Sequence, residues 1–347
     1  MKILHVAPLW FPVARDSPGG IETLLAGLVD EQVRQGASVA LVASGDSQTA
    51  ARLEAVMPVN AVDAMAEGGI AEYTYLEQEA LLRTLALADE FDVVHSHIGT
   101  PAFALSGIPG VGHRLLHTHH NEITTDLLGF VSRNPDLWLS TVSRRAADQL
   151  RAAGGRNLDT VANGISTDTF PVSERPGDGL AFLGRIESAK GPDIAIHVAL
   201  EAERSLTLAG PIIDDEFFAD RVQPLLGETV RYVGSLGHDD KCALLASSVC
   251  TLVPSRVEEG FGMVAIESMA CGTPVVSSGR GALAEIVDEG VTGYSAEPEA
   301  MVERVTWAAS LDRRAVADHV RQRFGIEHTA DAYLALYERG SRVGSNR

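Results

Sequence analysis

The sequence predicts an α/β protein with two doubly wound domains, each a parallel sheet covered by helices. Short apolar runs alternate with amphipathic stretches along the chain, which is the pattern of βαβ units. A segment rich in Gly, Pro, Ser and Asp at 163–179 interrupts this alternation, which then restarts. The length of 347 residues suits two domains of ordinary size, and the apolar fraction of 45% is enough for two full cores.

Ten buried strands are predicted, five on each side of the interruption. They cover 3–9, 38–44, 91–97, 114–119 and 136–143, then 180–185, 206–210, 230–234, 249–255 and 273–278. Between the first two strands, apolar residues recur with helical spacing, which predicts a helix there. We therefore place an N-terminal domain at 1–168 and a C-terminal domain at 169–329. A final helix at 330–347 is expected to pack back on the N-terminal domain.

Composition excludes several classes of partner. The formal net charge of −19 argues against nucleic acid or an anionic bilayer, since both attract basic surfaces. Three cysteines without metal-site spacing indicate reduced thiols in a cytosolic protein. The chain begins without the pattern of an export signal and has no run of about 20 apolar residues. We expect a cytoplasmic monomer or homodimer that does not insert into membranes.

Two adjacent glycines, Gly19 and Gly20, follow the first strand and stand directly before a predicted helix. Adjacent glycines let the backbone approach a ligand closely, and a helix N-terminus attracts an anion. A plain turn would use the same residues. In open α/β sheets, however, ligands bind beyond the carboxyl ends of the strands, and this position favours an anion site.

Two cations, Arg185 and Lys190, follow the strand at 180–185 and precede a helix. A guanidinium and an ammonium at a strand end are suited to hold a diphosphate. The alternative is a pair of solvated cations that form ion pairs with Glu187 or Glu201. We prefer the diphosphate interpretation, because a chain this acidic has few cations to place at strand ends.

Histidines gather at two further strand ends, where His95 and His97 precede His117, His119 and His120 in the chain. A zinc site is disfavoured, because no ligating cysteine and no His-Glu-x-x-His helix accompanies them. We therefore predict no metal. His120 stands at a strand tip, where an imidazole can exchange hydrogen bonds with a substrate hydroxyl or carbonyl, whereas His95 is expected to be a core histidine.

The segment 258–278, EEGFGMVAIESMACGTPVVSS, holds two acids in an apolar setting. A helix is expected to begin near Gly262, which leaves Glu259 in the loop before it, facing a ligand or the helix dipole. Glu267 lies on the helix, and its neighbours three and four residues away are apolar: Met263, Val264, Ala270 and Cys271. A core acid would need a partner that the sequence does not obviously provide, whereas a vicinal diol offers two hydroxyls to one carboxylate.

These residues resemble the retaining GT-B glycosyltransferases of family four. The resemblance rests on the E-x7-E element EGFGMVAIE, the following MACGTPVV, and the motifs GRIESAKG, YVGSLG, VANGI, THHN and PGG. It runs from the first strand to about residue 294. The resemblance implies two Rossmann-like domains that face a cleft, with a nucleoside-diphosphate sugar, UDP favoured, bound mainly by the C-terminal domain.

The resemblance also implies roles for the candidate residues. Glu267 would accept the ribose hydroxyls, Arg185 and Lys190 would hold the diphosphate, and Gly19 and Gly20 would close on it. Further contacts with the donor are implied for Phe261, Gly262, Met263 and Val264 through backbone N–H groups, for Glu259 with the donor sugar, for His120 near the reaction centre, and for Ser235, Leu236 and Gly210 around the base.

The mechanism implied is transfer with retention, without a metal or other cofactor, in which cations and a helix dipole stabilise the leaving diphosphate. The acceptor would be a small molecule or glycan, and an antibiotic pathway of the avilamycin type is suggested. The first 170 residues carry 11 Lys and Arg against 20 Asp and Glu, which disfavours a lipid-linked acceptor. The alternatives are a nucleotide-sugar 2-epimerase on the same fold and an inactive subunit that supports an active partner.

Overall fold

The computed structural model describes residues 1–344, which form two compact units. The first unit comprises Met1–Gly164 together with the chain from Ile326 onward, and the second comprises Ile165–Gly325. The boundaries expected from the sequence were at 168 and 329. Residues 345–347 of the predicted final helix lie outside the described residues.

The first unit contains a seven-stranded parallel sheet in the order β3-β2-β1-β4-β5-β6-β7. Its strands are β1 Lys2–Val6, β2 Ser38–Ala43, β3 Arg52–Ala55, β4 Val93–Ser96, β5 Leu115–His119, β6 Leu139–Thr141 and β7 Leu158–Thr160. The helices between them are α1 Gly20–Arg34, α2 Ala61–Ala66, α3 Tyr73–Leu87, α4 Thr125–Arg133 and α5 Arg144–Ala152.

The second unit contains a six-stranded parallel sheet in the order β10-β9-β8-β11-β12-β13. Its strands are β8 Leu180–Leu183, β9 Leu206–Ala209, β10 Val230–Tyr232, β11 Thr251–Val253, β12 Val275–Ser277 and β13 Gly293–Ser295. Its helices are α6 Pro192–Glu201, α7 Asp215–Phe217, α8 His238–Ser247, α9 Met263–Ala270, α10 Leu283–Ile286, α11 Met301–Ala308 and α12 Arg313–Phe324. The last helix of the chain, α13 Ile326–Gly344, belongs to the first unit.

All ten predicted strands are present, and the predicted fold class of two doubly wound parallel sheets is confirmed. Three strands were missed: β3, β7 and β13. Each lies at the edge of its sheet and is only three or four residues long, with side chains that are mostly half-buried. An edge strand has one neighbour and needs no continuous apolar run, so the pattern that reveals central strands is missing.

The sheet of the first unit has a separate core on each face. Along β1, Ile3 and Ala7 pack in the cluster that contains α1 and α13 residues, whereas Leu4 and Val6 pack in the cluster on the other face. This is the two-residue alternation of a strand. It places His5, which is fully buried, on the same face as α1 and α13.

Helix α13 completes the first of these cores. Tyr333 and Tyr337 are fully buried there, beside Leu28 of α1 and Ile3 of β1. The end of the chain therefore supplies part of the N-terminal core, and it brings two phenol groups to the sheet face that carries His5. No helix within residues 1–344 combines the length and the apolar character needed to cross a membrane.

Candidate functional site

The carboxyl ends of the strands in the second unit gather the charged residues that the sequence singled out. Arg185 and Lys190 follow β8, Glu259 follows β11, and Glu267 lies on α9. Because β8 and β11 are parallel neighbours in the sheet, the segments that follow them lie side by side at the carboxyl ends of the strands.

Lys190 and Glu259 form a direct ion pair. The ammonium nitrogen of Lys190 donates to both carboxylate oxygens of Glu259, at 2.7 and 2.9 Å. The side chains are 24% and 12% exposed, so the pair is partly shielded from water. Lys190 thus does not form the alternative ion pair with Glu187 or Glu201, and its carboxylate partner is a second candidate site residue.

Backbone contacts hold the two loops of this pair together. The Arg256 backbone N–H donates to the Ala189 carbonyl at 2.8 Å, and the Arg256 guanidinium donates to the Ser188 carbonyl at 2.7 Å. The same guanidinium binds both carboxylate oxygens of Asp193 at 2.8 Å. Such a bidentate pair restricts both side chains. The loops that present Lys190 and Glu259 are therefore positioned before any ligand binds.

Arg185 forms the ion pair with Glu187 that the alternative interpretation of the sequence predicted. Its guanidinium pairs with Glu187 at 2.7 Å, and its side chain is 56% exposed. An exposed ion pair of this kind contributes little to stability. The guanidinium is consequently available to exchange Glu187 for another anion.

Glu267 has a protein partner, which corrects the expectation that it lacks one. The ammonium nitrogen of Lys241 lies 2.6 Å from Glu267 Oε1, and the two side chains are 14% and 6% exposed. Lys241 comes from α8, which packs against α9. The ion pair offsets part of the desolvation free energy of the buried carboxylate, and the carboxylate retains lone pairs for further donors.

Helix α9 begins where the sequence predicted. Its first residue is Met263, and Gly262 before it has φ of 108°, a conformation that favours glycine. A Cβ at Gly262 would also lie 2.8 Å from the Leu283 side chain. The ring of Phe261 is 6% exposed and packs edge-on against Phe324, so this side chain anchors the loop. Of the predicted contacts, Phe261 can therefore offer only its backbone, together with Gly262, Met263 and Val264 at the helix N-terminus.

The residues predicted around the base lie after two neighbouring strands, β9 and β10. The Gly210 N–H donates to the Gly234 carbonyl at 2.8 Å, and the Gly210 carbonyl accepts from the Tyr232 hydroxyl at 2.8 Å. Ser235 is exposed and Leu236 is half-buried. The structure thus brings Gly210 close to the segment of Ser235 and Leu236, and a flat group would find mainly backbone there.

In the first unit, Gly19 and Gly20 open helix α1 as predicted. A buried acid, Glu22, lies directly over Gly19, where a Cβ would be 2.0 Å from a Glu22 carboxyl oxygen. Burial raises the pKa of Glu22 to about 7, and the backbone N–H groups of Glu22 and Phe11 oppose this rise. A predicted anion contact at Gly19 would therefore have a carboxyl group beside it that is partly protonated near neutral pH.

The histidines form a continuous buried hydrogen-bonded chain. Gln32 Oε1 lies 2.8 Å from His5 Nε2, His5 Nδ1 lies 3.0 Å from His97 Nε2, and His97 Nδ1 lies 3.0 Å from His120 Nε2. We call Gln32, His5, His97 and His120 the histidine chain. Burial lowers the pKa of His5 to about 4 and that of His120 to about 3, and it holds that of His97 well below its usual range. All three rings are therefore neutral at pH 7.

His95 is a core histidine, as predicted. It is fully buried, and its Nδ1 and Nε2 each lie 2.6 Å from a hydroxyl, those of Tyr337 and Thr118. The Thr118 hydroxyl also lies 3.1 Å from that of Tyr333. His95 therefore connects β4 and β5 to α13 and contributes to the core of the first unit.

Three buried histidines, His5, His95 and His97, have ligand nitrogens within 4.8 Å of one another and so could surround one metal ion. Every ring nitrogen of the three already has a hydrogen-bond partner. An ion would have to displace several of these bonds, so the arrangement favours a hydrogen-bonded core. That the site works without a metal stays a prediction.

Three residues that matter for these sites were missed by sequence reasoning: Lys241, Gln32 and His5. Lys241 lies near the start of a short helix, and nothing local distinguishes it from a solvated cation. Gln32 stands four residues after Leu28 and three after Val29, on the apolar face of the predicted helix, and it is fully buried in the structure. A polar residue on that face was the available signal. His5 carried the strongest signal, since it interrupts the apolar run of the first strand.

Comparison with known proteins gives two matching family models. The model described as Glycosyltransferase Family 4 matches residues 18–169, and the model described as Glycosyl transferases group 1 matches residues 174–323. The first range includes Gly19, Gly20 and His120. The second includes all the charged candidates that follow β8 and β11.

Individual relatives extend over nearly the whole chain. A D-inositol 3-phosphate glycosyltransferase of Mycobacterium tuberculosis is 28% identical, and the alignment covers 97% of this chain and 82% of that protein. The crystal structure of AviGT4, a glycosyltransferase involved in avilamycin A biosynthesis, is similar with a TM-score of 0.73 at 26% identity, covering 98% of each chain. Anabaena HepE, solved in complex with UDP-glucose, shares the fold with a TM-score of 0.73 at 18% identity, over 98% of this chain and 100% of that one.

The raised pKa of Glu22 predicts a pH-dependent stability. The folded pKa of about 7 lies above the ordinary 4.5, so the folded state binds the Glu22 proton more tightly than the unfolded state does. The contribution of this proton to the free energy of unfolding is fully present below about pH 4.5 and is lost as the pH rises through 7. We expect the unfolding free energy of the native protein, relative to Glu22→Gln, to fall by about 3 kcal/mol between pH 4.5 and 8. Urea titrations of both proteins across this range measure it, and a pH-independent difference would contradict it.

The pair of Lys241 and Glu267 predicts a strong energetic coupling. Lys241→Met should lower the unfolding free energy by about 3 kcal/mol, since it leaves a buried carboxylate without its partner. The double variant Lys241→Met/Glu267→Leu should recover most of this loss. The control is the exposed pair of Arg339 and Asp159, whose coupling in the same double-mutant cycle should stay within about 0.2–1 kcal/mol. Equal coupling in the two pairs would show that burial does not strengthen the pair of Lys241 and Glu267.

Proposed function

This chain belongs to family 4 of the GT-B glycosyltransferases, and on this premise we propose that it moves a sugar from a nucleoside-diphosphate sugar, UDP favoured, to a hydroxyl of a soluble acceptor. We propose further that transfer retains the anomeric configuration and requires no metal. The acceptor is a polar small molecule or glycan, such as an intermediate of a natural product.

One observation carries this proposal: two carboxylate–ammonium pairs stand on either side of the N-terminus of α9. Glu259 lies in the loop before the helix and binds Lys190 from the segment after β8, while Glu267 lies one turn into the helix and binds Lys241 from α8. The first N–H groups of a helix have no acceptor within the helix and attract anions. The second unit thus combines cations, a helix N-terminus and carboxylates, which are the groups needed for phosphate oxygens and sugar hydroxyls.

Lys190 is suited to the diphosphate even though it is paired. An ammonium group has three N–H donors, and two of them point to the oxygens of Glu259. The third can meet a phosphate oxygen, and Arg185 can leave Glu187 to bind another. Negative charge that develops on the leaving diphosphate would then be stabilised by both cations and by the α9 dipole, without proton transfer to the leaving group.

Glu267 is suited to the ribose. Lys241 binds Oε1 only, and an ionised carboxylate has about four lone-pair directions. Two ribose hydroxyls can therefore donate to Glu267 while the ion pair persists. Lys241 holds the orientation of the carboxylate, so little reorganisation is needed when the nucleotide binds.

Relatives support the proposed nucleotide and the proposed class of acceptor. UDP-glucose is the ligand in the structure of Anabaena HepE, which supports UDP as the nucleotide. The avilamycin A pathway of AviGT4 supports a natural-product acceptor, and the name of the Mycobacterium tuberculosis relative supports a polar acceptor. We assign to His120 the contact with the transferred sugar that the family resemblance implies.

A transfer assay tests the function. The protein is incubated with UDP-glucose, UDP-N-acetylglucosamine or GDP-mannose, each with a panel of soluble hydroxyl compounds, and the products are followed by proton NMR. We expect UDP release with a glycoside of the donor's anomeric configuration, at a rate that EDTA leaves unchanged. An epimerised nucleotide sugar without nucleotide release would indicate an isomerase instead, and an inverted glycoside would refute retention.

Arg185→Ala should weaken the binding of UDP, which has two phosphates, much more than the binding of uridine, which has none. Loss of a charge-assisted hydrogen bond should reduce affinity for UDP by about 10- to 100-fold, while affinity for uridine changes by less than about 2-fold. Isothermal titration with UDP, UMP and uridine measures this. Arg221→Ala is the control, since Arg221 is also exposed and pairs with Asp193 at 3.5 Å. Equal losses for UDP and uridine would place Arg185 away from the diphosphate.

A further inference from the structure

The histidine chain crosses the first unit from helix α1 to the end of strand β5. Gln32 lies on α1, His5 on β1, His97 directly after β4 and His120 directly after β5. Strands β1, β4 and β5 are consecutive in the sheet, so the three imidazoles succeed one another across neighbouring strands. Gln32, His5 and His97 are at most 3% exposed, and no substrate can reach them directly.

Neutral imidazoles give such a chain a single direction. Each neutral ring has one N–H donor and one bare acceptor nitrogen. If His5 Nε2 donates to Gln32 Oε1, then His5 Nδ1 must accept from His97 Nε2. His97 Nδ1 must in turn accept from His120 Nε2. The proton on one end of the chain therefore decides which nitrogen of His120 carries its hydrogen.

Gln32 decides that direction. Its amide oxygen faces His5. The amide nitrogen completes no hydrogen bond of normal geometry. With the amide oxygen as the acceptor for His5, the hydrogen bonds of the chain run from His120 to Gln32.

We propose that Gln32, His5 and His97 are positioning residues that hold His120 as the Nε2–H tautomer, with the lone pair on Nδ1. This inference rests on the proposed function insofar as His120 meets the transferred sugar. His120 Nδ1 is buried and has no hydrogen-bond partner among residues 1–344. The histidine chain thus presents an acceptor whose first partner is a hydroxyl of the bound substrate.

The chain orients His120 and does not conduct protons. It ends at a carboxamide, which neither releases nor takes up a proton at neutral pH. Burial also keeps its imidazoles uncharged, with the pKa of His120 lowered to about 3. A neutral His120 with a fixed ring plane accepts a hydrogen bond from a hydroxyl and does not compete for the cationic role of Arg185 and Lys190.

Two substitutions of His97 separate the acceptor from the donor. In His97→Asn, the amide oxygen can take the place of Nδ1 and still accept from His120. In His97→Gln, the longer side chain reaches the place of Nε2 toward His5 and leaves His120 without its acceptor. The two variants are matched in polarity, so a difference between them reports the bond to His120.

Nitrogen-15 NMR of histidine-labelled protein reads the tautomer without any substrate. We expect His120, assigned by its loss in His120→Gln, to show a protonated Nε2 and a bare Nδ1 in the native protein and in His97→Asn. We expect mixed tautomers in His97→Gln. If His97→Gln does not fold, Gln32→Leu, which removes the chain's fixed end, should give the same mixture. A protonated Nδ1 in the native protein, or one unchanged tautomer in all variants, overturns the proposal.

Steady-state kinetics tests the consequence for transfer. His97→Gln should lower kcat by about 10- to 100-fold with a much smaller change in KM for the nucleotide sugar, and His97→Asn should restore most of kcat. Equal kcat values in the two variants overturn the positioning role. If the native protein transfers no sugar, the proposed function fails while the NMR result still decides the tautomer.

Discussion

The cost of burying a polar side chain without a partner is the constraint on which the candidate sites depend. Such a group loses its hydration, and the fold must return hydrogen bonds or opposite charge. Glu267 is 6% exposed and meets Lys241, Glu259 meets Lys190, and His5 meets both Gln32 and His97. Each pairing stabilises the unit and at the same time fixes the direction in which the remaining lone pair or N–H group points.

The parallel sheets determine where these polar partners meet. Because the strands of each sheet run in one direction, the residues that follow them gather at one edge. In the first unit, His97 and His120, which follow β4 and β5, contact each other, and His97 also contacts His5 inside β1. Helices α1 and α13 complete this polar row with Gln32 and two tyrosines. In the second unit, it brings the loops after β8 and β11 together, and Arg256 ties them.

Pairing before ligand binding has a consequence for a glycosyltransferase. In the proposed function, a carboxylate that a lysine already holds in place would offer a ribose or sugar hydroxyl a site that needs little rearrangement. A lysine held by a glutamate would likewise keep one N–H donor for the proposed phosphate contact. The exposed Arg185 is the exception, since its pair with Glu187 is easily exchanged. The site therefore combines preset groups with one adaptable cation.

The fold class, ten of the thirteen strands, the start of helix α9 and the charged residues at strand ends could be predicted from the sequence, because they depend on local periodicity and on glycine conformation. The partners of these residues depend on tertiary packing. Lys241 and Glu267 are 26 positions apart, and His95 and Tyr337 are 242 apart. Such contacts depend on how helices and strands pack, and no local pattern encodes that. The edge strands β3, β7 and β13 escaped for the same reason, since their pairing comes from a neighbouring strand.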